Sequence, residues 1–263
     1  MELGLQGAKV FVAGSRSGLG AAAARQFSRE GAMVAINGRN AESLQQTADG
    51  IHAETRGQVV AVAGDVSQRG EAARVIEAAA QRLGGLDVLV TNSGGPPPGS
   101  FTAFGLDEWE GAYHLLLGST IEMIQAALPY LQQSHRAAIL AVTSLTVKQP
   151  MDNLILSNVI RAGVAALVKS LANEFGPQGI RVNAILPGWT ATERVGVLIN
   201  ARAAANNSTP EIEHANRVGA IPLRRMGTPE EFGNVAVFMC SPAAGFMHGA
   251  MLPVDGGEIR ATL

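Results

Sequence analysis

The sequence alternates, over nearly its whole length, between short apolar runs rich in β-branched residues and longer segments with helical periodicity. The short runs are AKVFVA, MVAIN, QVVAVAG, DVLVTN, AAILAVT, IRVNAILPG and AMLPVDGG. Alternating strands and helices favour a parallel sheet with helices on both faces, and strands covered on both faces are nearly continuously apolar. Right-handed crossovers then give a doubly wound α/β fold in three layers. The length of 263 residues suits one domain or at most two, and we predict a single domain over residues 1–263.

Composition and charge exclude several classes of protein. The net charge of -2 and the pI near 6.2 provide no field that would attract nucleic acid or an acidic membrane surface. The single cysteine, Cys240, excludes an internal disulfide and suits a reducing cytoplasm; because it follows VAVFM, we expect it in the core. The first residues do not resemble a signal peptide, and no run reaches the roughly 18 uninterrupted apolar residues of a membrane span. We therefore expect a cytoplasmic protein without nucleic-acid or membrane partners.

A glycine-rich segment, VAGSRSGLG, follows the first predicted strand and opens the first predicted helix. Its glycines allow a tight turn and let a pyrophosphate approach the backbone at the helix N-terminus. Glycines also mark plain turns, but this strand–turn–helix context is that of a nucleotide site. We expect cofactor contacts from the whole turn, namely Gly14, Ser15, Arg16, Ser17, Gly18, Leu19 and Gly20.

The end of the second predicted strand indicates which dinucleotide binds. An NAD site usually has an acidic residue there for the ribose hydroxyls, whereas this chain has Asn37, Gly38 and Arg39. The guanidinium fork of Arg39 suits a 2′-phosphate, and Arg16 could add to that charge. We therefore predict NADP, with NAD as the second choice. The alternative is that Arg39 only lies in solvent at the end of a strand.

Residues 190–223 interrupt the alternation of strands and helices. This segment is helical in places but polar and rich in asparagine. An insertion beyond the carboxyl end of a strand is typical of a lid over a substrate site. The alternative is an ordinary surface excursion.

One apolar helical segment contains polar side chains on one face. In NLILSNVIRAG, residues 153–163, Ser157 and Arg161 are four positions apart and therefore share a face of the predicted helix. They could mark a helix edge in contact with water, or they could belong to a site.

These residues together resemble the short-chain dehydrogenase/reductases, over nearly the whole chain. Gly14, Gly18 and Gly20 match the GxxxGxG loop of that family, and TNSGG stands where the family has NNAG. The stretch RVNAILPGWTATE and the C-terminal PVDGG are also similar, and in detail the chain looks most like 3-oxoacyl-carrier-protein reductase-like members. The resemblance implies a Rossmann-type fold, a small-molecule substrate and no metal. It implies further cofactor contacts from Asp65 and Val66 near the adenine, from Asn92 and Gly94, and from Pro187, Gly188 and Thr192 near the nicotinamide.

The resemblance also implies where the catalytic residues should lie. The serine of the family is present as Ser144 in AVTSLTV. The tyrosine position falls on Ser157, the lysine position on Arg161 and the asparagine position on Leu116. Three of the four expected catalytic residues are therefore replaced.

The replaced groups change the proton chemistry. A serine hydroxyl is far less acidic than a phenol, so Ser157 is a poor general acid at neutral pH. Arg161 keeps a positive charge that could hold the nicotinamide ribose or an anionic substrate, but it does not relay protons as lysine can. Lys148, close after Ser144, is the preferred substitute donor. The other candidates are His114 and the two tyrosines, Tyr113 and Tyr130; we expect Tyr113 to be a core phenol.

Three functional hypotheses follow. The first is an NADP-dependent oxidoreductase that acts on a carbonyl or alcohol by a modified proton route, with Ser144, Ser157, Arg161 and Lys148 at the site. The second is a catalytically silent dinucleotide-binding homologue that acts as a sensor or partner subunit. The third is elimination or isomerisation with a structural cofactor. Family members commonly form tetramers through the helices after the fourth and fifth strands, and we expect a homotetramer or dimer here.

Overall fold

Seven parallel strands form one sheet in a computed structural model that describes residues 2–262. The strands are β1 (Lys9–Val12), β2 (Met33–Gly38), β3 (Val59–Ala63), β4 (Val88–Thr91), β5 (Ala138–Val142), β6 (Arg181–Pro187) and β7 (Met251–Val254). Their order across the sheet is β3-β2-β1-β4-β5-β6-β7, and every neighbouring pair is parallel. The predicted doubly wound parallel sheet is confirmed.

Helices connect the strands and cover both faces of the sheet. They are α1 (Gly18–Arg29), α2 (Ala41–Thr55), α3 (Glu71–Leu83), α4 (Leu106–Tyr113), α5 (Ser119–Leu131), α6 (Ile155–Phe175), α7 (Glu193–Asn206), α8 (Pro210–Ala220) and α9 (Pro229–Cys240). A π-helical turn, His114–Gly118, joins α4 to α5, so that the two form one long helix as predicted.

The core consists of two apolar layers, one on each face of the sheet. On one face, α3, α5 and α6 contribute side chains such as Val75, Met123 and Val168. On the other, α1, α2 and α9 contribute side chains such as Phe27 and Ile51. Cys240 lies in this second layer, where burial raises the pKa of its thiol to about 12; its predicted place in the core is confirmed.

The helix α6 is unusually apolar. With the 3₁₀ turn that follows it, the segment Ile155–Gln178 contains an 18-residue window with a mean hydropathy of 1.5 and is long and apolar enough, by length and composition, to cross a membrane. In this fold one side of the helix packs on the sheet through Val164, Val168 and Ala172. Packing against the sheet accounts for the apolar residues on that side.

Residues 190–223, called the insertion below, contain the two helices α7 and α8, which pack against each other. A small apolar cluster lies beneath them, formed by Leu145, Trp189, Ile199 and Ile221. The polar composition of the insertion reflects its exposed outer surface.

The order of the strands places a crevice beside β1. The chain proceeds from β1 to β2 and β3 in one direction and then returns to place β4 on the other side of β1. In open parallel sheets, such a reversal separates the loops at the carboxyl ends of the two central strands, and ligands bind in the crevice between them. The loops after β1 and β4 contain the glycine turn and TNSGG.

Candidate active site

The glycine turn after β1 brings the backbone at Gly20 very close to the backbone of Gly14 and Ser15. Gly14 and Gly18 have φ angles of +55° and +58°, in the left-handed region that favours glycine. A Cβ atom on Gly20 would lie 2.4 Å from the carbonyl oxygen of Gly14, so only glycine fits there without moving the backbone. The turn leads into the N-terminus of α1, whose first N–H groups have no partner within the helix and suit a phosphate.

Ser15 is part of the turn but faces inward. Its side chain is buried; its hydroxyl donates to the carbonyl oxygen of Val12 over 2.6 Å and accepts from the N–H of Asn37 over 2.9 Å. The Asn37 amide in turn donates to Val62 and Gly64 at the end of β3. Ser15 therefore ties the turn to β2, and its side chain does not line the crevice. Its predicted contact with the cofactor stays a prediction.

The crevice contains two cavities that share the residues Gly14, Ser17 and 92–95. The first, here the β2-side cavity, has a volume of about 420 Å³. The second, here the β5-side cavity, has a volume of about 340 Å³. Because their linings overlap at the glycine turn and at TNSGG, the two form one continuous groove along the carboxyl edge of the sheet.

The β2-side cavity contains the residues predicted for the adenosine half of a dinucleotide. Arg16 and Arg39 line it, together with Asp65 and Val66. Arg39 is exposed and forms no ion pair with any residue in the range 2–262. Arg16 lies 3.8 Å from Glu193, at an exposed surface where such a pair contributes little.

Asn92 and the loop after β6 complete the groove. The amide of Asn92 donates to the carbonyl oxygens of Ala13 and Gly14, which fixes the end of β4 against the glycine turn. Predicted cofactor contacts also line the β5-side cavity, namely Gly18, Leu19, Gly94, Pro187, Gly188 and Thr192. Apart from Ser15 and Gly20, the predicted cofactor residues all line one of the two cavities.

The β5-side cavity brings together Ser144, Ser157 and Arg161. Ser144 follows β5 and begins a short 3₁₀ turn, where its hydroxyl oxygen accepts from the N–H of Thr146 over 3.2 Å. Ser157 and Arg161 lie one turn apart on α6, as predicted, and both are 9% exposed. The two hydroxyls and one guanidinium therefore face a common space beside the glycine turn.

Arg161 is a buried cation without a carboxylate partner in the described chain. Its Nη1 donates to the carbonyl oxygens of Val142 and Thr143, over 3.3 and 3.0 Å, at the end of β5. Burial, and secondly the positive charge of Arg194, lower the pKa of Arg161 to about 10. The guanidinium therefore remains charged at neutral pH and supplies a positive potential where Ser144 and Ser157 meet.

Leu116, at the predicted asparagine position, lies in the π-helical turn between α4 and α5. It is buried, and the hydroxyl of Thr120 donates to its carbonyl oxygen over 2.8 Å. Leu116 does not line either cavity of the groove. Its side chain thus offers no polar group to the β5-side cavity.

The proposed substitute proton donors lie elsewhere. Lys148 is exposed and does not line the β5-side cavity. Tyr113 is 41% exposed, so the expectation of a core phenol was wrong: it stacks edge-on with His114, which lies 3.6 Å from Glu110. Tyr130 packs against the core. Lys148, Tyr113, His114 and Tyr130 therefore do not line the β5-side cavity. Residues 2–262 contain no group of three or more His, Cys, Asp or Glu that could hold a metal ion.

One charged residue of the site, Arg194, was not predicted from the sequence. It lies in the first turn of α7, lines the β5-side cavity, and donates from Nη2 to the carbonyl oxygen of Pro96 over 2.6 Å. Burial lowers the pKa of this half-buried guanidinium. The available signal was a charged residue two positions after Thr192, in the segment already predicted to cover the site.

Comparisons with known proteins agree with this fold. Residues 13–258 match the family model described as enoyl-(acyl carrier protein) reductase. The chain is 31% identical over 259 residues to 7alpha-hydroxysteroid dehydrogenase of Escherichia coli K12, covering 98% of this chain and 97% of that protein. It is 34% identical over 255 residues to L-rhamnose 1-dehydrogenase (NAD(P)(+)) of Sphingomonas sp. SKA58, covering 96% of each.

A solved structure shows the same architecture. L-sorbose reductase of Gluconobacter frateurii, in complex with NADPH and L-sorbose, superposes with a TM-score of 0.93 at 27% identity, covering 99% of this chain and 100% of that one. The family match spans the glycine turn, the β5-side cavity and the insertion. The chain belongs to the short-chain dehydrogenase/reductase family.

Proposed function

We propose that this protein is an NADP(H)-dependent oxidoreductase that interconverts a carbonyl and an alcohol. The observation that carries the proposal is the continuous groove from Arg39 and the glycine turn to Ser144, Ser157 and Arg161. The family contains dehydrogenases and reductases, including the L-sorbose reductase solved with NADPH.

The groove suits a nicotinamide dinucleotide. Gly20 leaves room for the close backbone turn that a pyrophosphate needs, and the unpaired N–H groups at the start of α1 face that turn. Arg39 and Arg16 supply positive charge for a 2′-phosphate, and the end of β2 provides no acidic side chain against it. These features support NADP over NAD.

The chemistry of reduction is divided between the cofactor and the chain. A reduced nicotinamide bound in the groove would supply the hydride for the carbonyl carbon, and the C=O π electrons would then move to the carbonyl oxygen. Ser144 and Ser157 donate hydrogen bonds to that oxygen, and Arg161 stabilises its negative charge electrostatically. Because a serine hydroxyl is a weak acid, the proton comes from water that enters the cavity. The alcohol forms by the net addition of one hydride and one proton.

The second candidate function is a silent dinucleotide-binding homologue. The observation in its favour is that the tyrosine position holds Ser157 and that neither Tyr113 nor Tyr130 lines the β5-side cavity. This function requires NADPH to bind without any turnover. It also predicts that Ser144→Ala and Arg161→Gln have no effect on the cellular role.

The experiment that tests the proposal measures binding and turnover separately. Calorimetry should show NADPH binding more tightly than NADH, and Arg39→Gln should reduce that difference by roughly tenfold. With saturating NADPH and a broad panel of aldehydes and ketones, nicotinamide absorbance should fall, and Ser144→Ala and Arg161→Gln should each slow the reaction. Arg56→Gln, at the exposed end of α2, is the matched control and should leave both measurements unchanged.

Two negative results have different meanings. Binding of NADPH with no oxidation by any carbonyl class, and no reduction of NADP by the corresponding alcohols, would favour the silent homologue. Failure to bind either dinucleotide would refute both functions.

A further inference from the structure

The β5-side cavity has two guanidinium groups and no carboxylate that balances them. Arg161 lines one wall and Arg194 another, and no salt bridge in the described part of the chain involves either. The only acidic side chain in the lining, Glu193, is 84% exposed and lies beside Arg16 instead. Buried or half-buried cations without a counter-ion are costly, and an anionic ligand would offset this cost.

Both guanidiniums retain unused hydrogen-bond donors. Arg161 uses only Nη1, towards two carbonyl oxygens, and its Nε and Nη2 have no partner among residues 2–262. Arg194 uses only Nη2, towards Pro96, which anchors its side chain over Gly95. A guanidinium fixed in this way can still donate two hydrogen bonds to a carboxylate, and such charge-assisted bonds are about twice as strong as neutral ones.

An apolar compartment adjoins the charged one. A cavity of about 220 Å³ shares Leu154 and Leu198 with the β5-side cavity. The rest of its lining includes the apolar residues Pro98, Met151, Trp189, Ala201 and Ala205. Its polar members are Asp152, Asn153 and Arg202, and Arg202 is paired with Glu213. A ligand that spans both cavities would therefore combine an anionic group with an apolar substituent.

We propose that the substrate is an oxo acid, or the corresponding hydroxy acid, whose carboxylate is bound by Arg194. Its reacting oxygen then lies among Ser144, Ser157 and Arg161, and its apolar substituent extends towards Leu154 and Leu198. This inference rests on the proposed function as an oxidoreductase. The pyrophosphate of the cofactor is the competing anion, but its place is the N-terminus of α1, where the glycine turn supplies the N–H donors.

The test compares acids with neutral molecules of the same shape. Benzoylformate and 4-oxo-4-phenylbutanoate are assayed against their methyl esters with saturating NADPH, and calorimetry measures binding of the same four compounds to the NADP-loaded protein. We expect the acids to exceed their esters by roughly tenfold or more in kcat/KM and in affinity. Arg194→Gln should remove this preference by raising KM and Kd for the acids much more than for the esters, and Arg194→Lys should retain part of it.

Arg225→Gln is the matched control, because Arg225 is an exposed arginine that pairs with Glu231 and lines neither cavity. Equal turnover and binding of acids and esters would overturn the inference and leave the proposed function intact. If Arg194→Gln weakens NADPH binding and preserves the preference for acids, Arg194 serves the cofactor and the inference is again overturned. If neither acids nor esters turn over, the calorimetric comparison still decides on the anion site, whereas the absence of turnover counts against the proposed function.

Discussion

At the scale of single residues, a substitution of Gly20 tests whether NADPH binding requires the backbone conformation of the glycine turn. A Cβ atom there would lie 2.4 Å from a backbone oxygen and 2.8 Å from the Cα atom of Ser15, and backbone atoms cannot swing aside as a side chain can. Gly20→Ala should therefore displace the turn and weaken NADPH binding by roughly tenfold or more. Calorimetry with the purified variant measures this directly.

Gly50→Ala is the control for that substitution. Gly50 lies within α2, and a Cβ atom there would have no neighbour within 4 Å. The variant should bind NADPH like the parent and should raise the free energy of unfolding by about 0.5–1 kcal/mol, since alanine is the better helix former. Equal NADPH affinity in the two glycine variants would contradict the steric argument at Gly20.

Ser157 offers a gain-of-function test at the same scale. Replacing it with tyrosine would place a phenol one helical turn before the permanent charge of Arg161, in a cavity of about 340 Å³. A positioned general acid contributes about 10²–10⁴-fold to a rate, so Ser157→Tyr should raise kcat for a ketone by at least about tenfold. Ser157→Phe introduces the same ring without the hydroxyl and should lower kcat, and a rise of similar size in both variants would exclude proton donation as the cause.

At the scale of elements, one ion pair attaches α8 to the C-terminal residues. Arg217 of α8 donates to Glu258 over 2.8 Å, and its guanidinium carbon lies 4.4 Å from the ring centroid of Trp189. Both charged groups are nearly buried, and Glu258 Oε2 and Arg217 Nε have no partner within residues 2–262. This contact holds the insertion against the end of β6.

A double-mutant cycle measures that attachment. Arg217→Met and Glu258→Met should each lower the free energy of unfolding by about 1–2 kcal/mol, because each leaves the other charge buried and unpaired. The double variant should lose less than the sum of the two, since it removes both charges. Urea unfolding gives the free energies, and hydrogen exchange over residues 210–220 should rise in the single variants. Strict additivity would show that the pair is not coupled.

The same pair predicts a pH dependence. Burial, only partly opposed by the charge of Arg217, raises the pKa of the Glu258 carboxyl above its ordinary value. As the pH falls, the folded protein therefore takes up a proton at Glu258 before the unfolded chain does, and the folded state gains stability relative to a variant without this titration. The difference in unfolding free energy between the parent and Glu258→Gln should shift in favour of the parent from pH 7 to pH 5.

Glu231→Gln serves as the comparison for this pH series. The hydrogen bond from Arg225 lowers the pKa of the Glu231 carboxyl to about 2, so that this group stays charged in the folded protein over the same range. The difference between the parent and Glu231→Gln should be nearly constant between pH 7 and pH 5. A constant difference for Glu258→Gln as well would contradict the raised pKa.

The periodicity of apolar residues predicted the strands and helices because the spacing within each segment reflects which of its side chains are buried. The seven apolar runs became the seven strands, and the long helix before β5 was predicted within a few residues. The π-helical turn at 114–118 was not predicted, since it depends on backbone hydrogen bonds that apolar spacing does not encode. The inward direction of the Ser15 side chain was not predicted for a similar reason: its hydroxyl bonds to Val12 and Asn37, which lie on two different strands.

At the scale of the whole molecule, the site is a property of the carboxyl edge of the sheet. The sequence placed Ser144, Ser157 and Arg161 together through their resemblance to a known pattern, and the structure brings all three to one cavity. The sequence alone could not place Arg194 in the β5-side cavity or exclude Lys148 from it. The position of Lys148 depends on the path of a loop over that edge, and the position of Arg194 depends on the path of the insertion. Tertiary geometry thus decided which charges reach the site.

The outer surface of the long helices bears on assembly. Val159 of α6 is 48% exposed, and Leu106 and Tyr113 on the neighbouring α4 are 86% and 41% exposed. Apolar side chains grouped on adjacent helices are typical of a subunit interface. We propose that this surface joins two copies of the chain, alone or within a tetramer.

Val159→Lys tests this proposal in solution. An ammonium group at the centre of a self-complementary apolar interface would face its own copy, and burying the two charges should shift the protein to a monomer in light scattering at micromolar concentration. Val197→Lys is the matched control, because Val197 is 54% exposed on α7, in the insertion, and is not part of the proposed surface on α4 and α6. Its variant should keep the oligomeric state of the parent. A parent protein that is already monomeric would contradict the proposed interface. If the Val159→Lys variant remains oligomeric, the subunits associate through a different surface and the proposal is wrong.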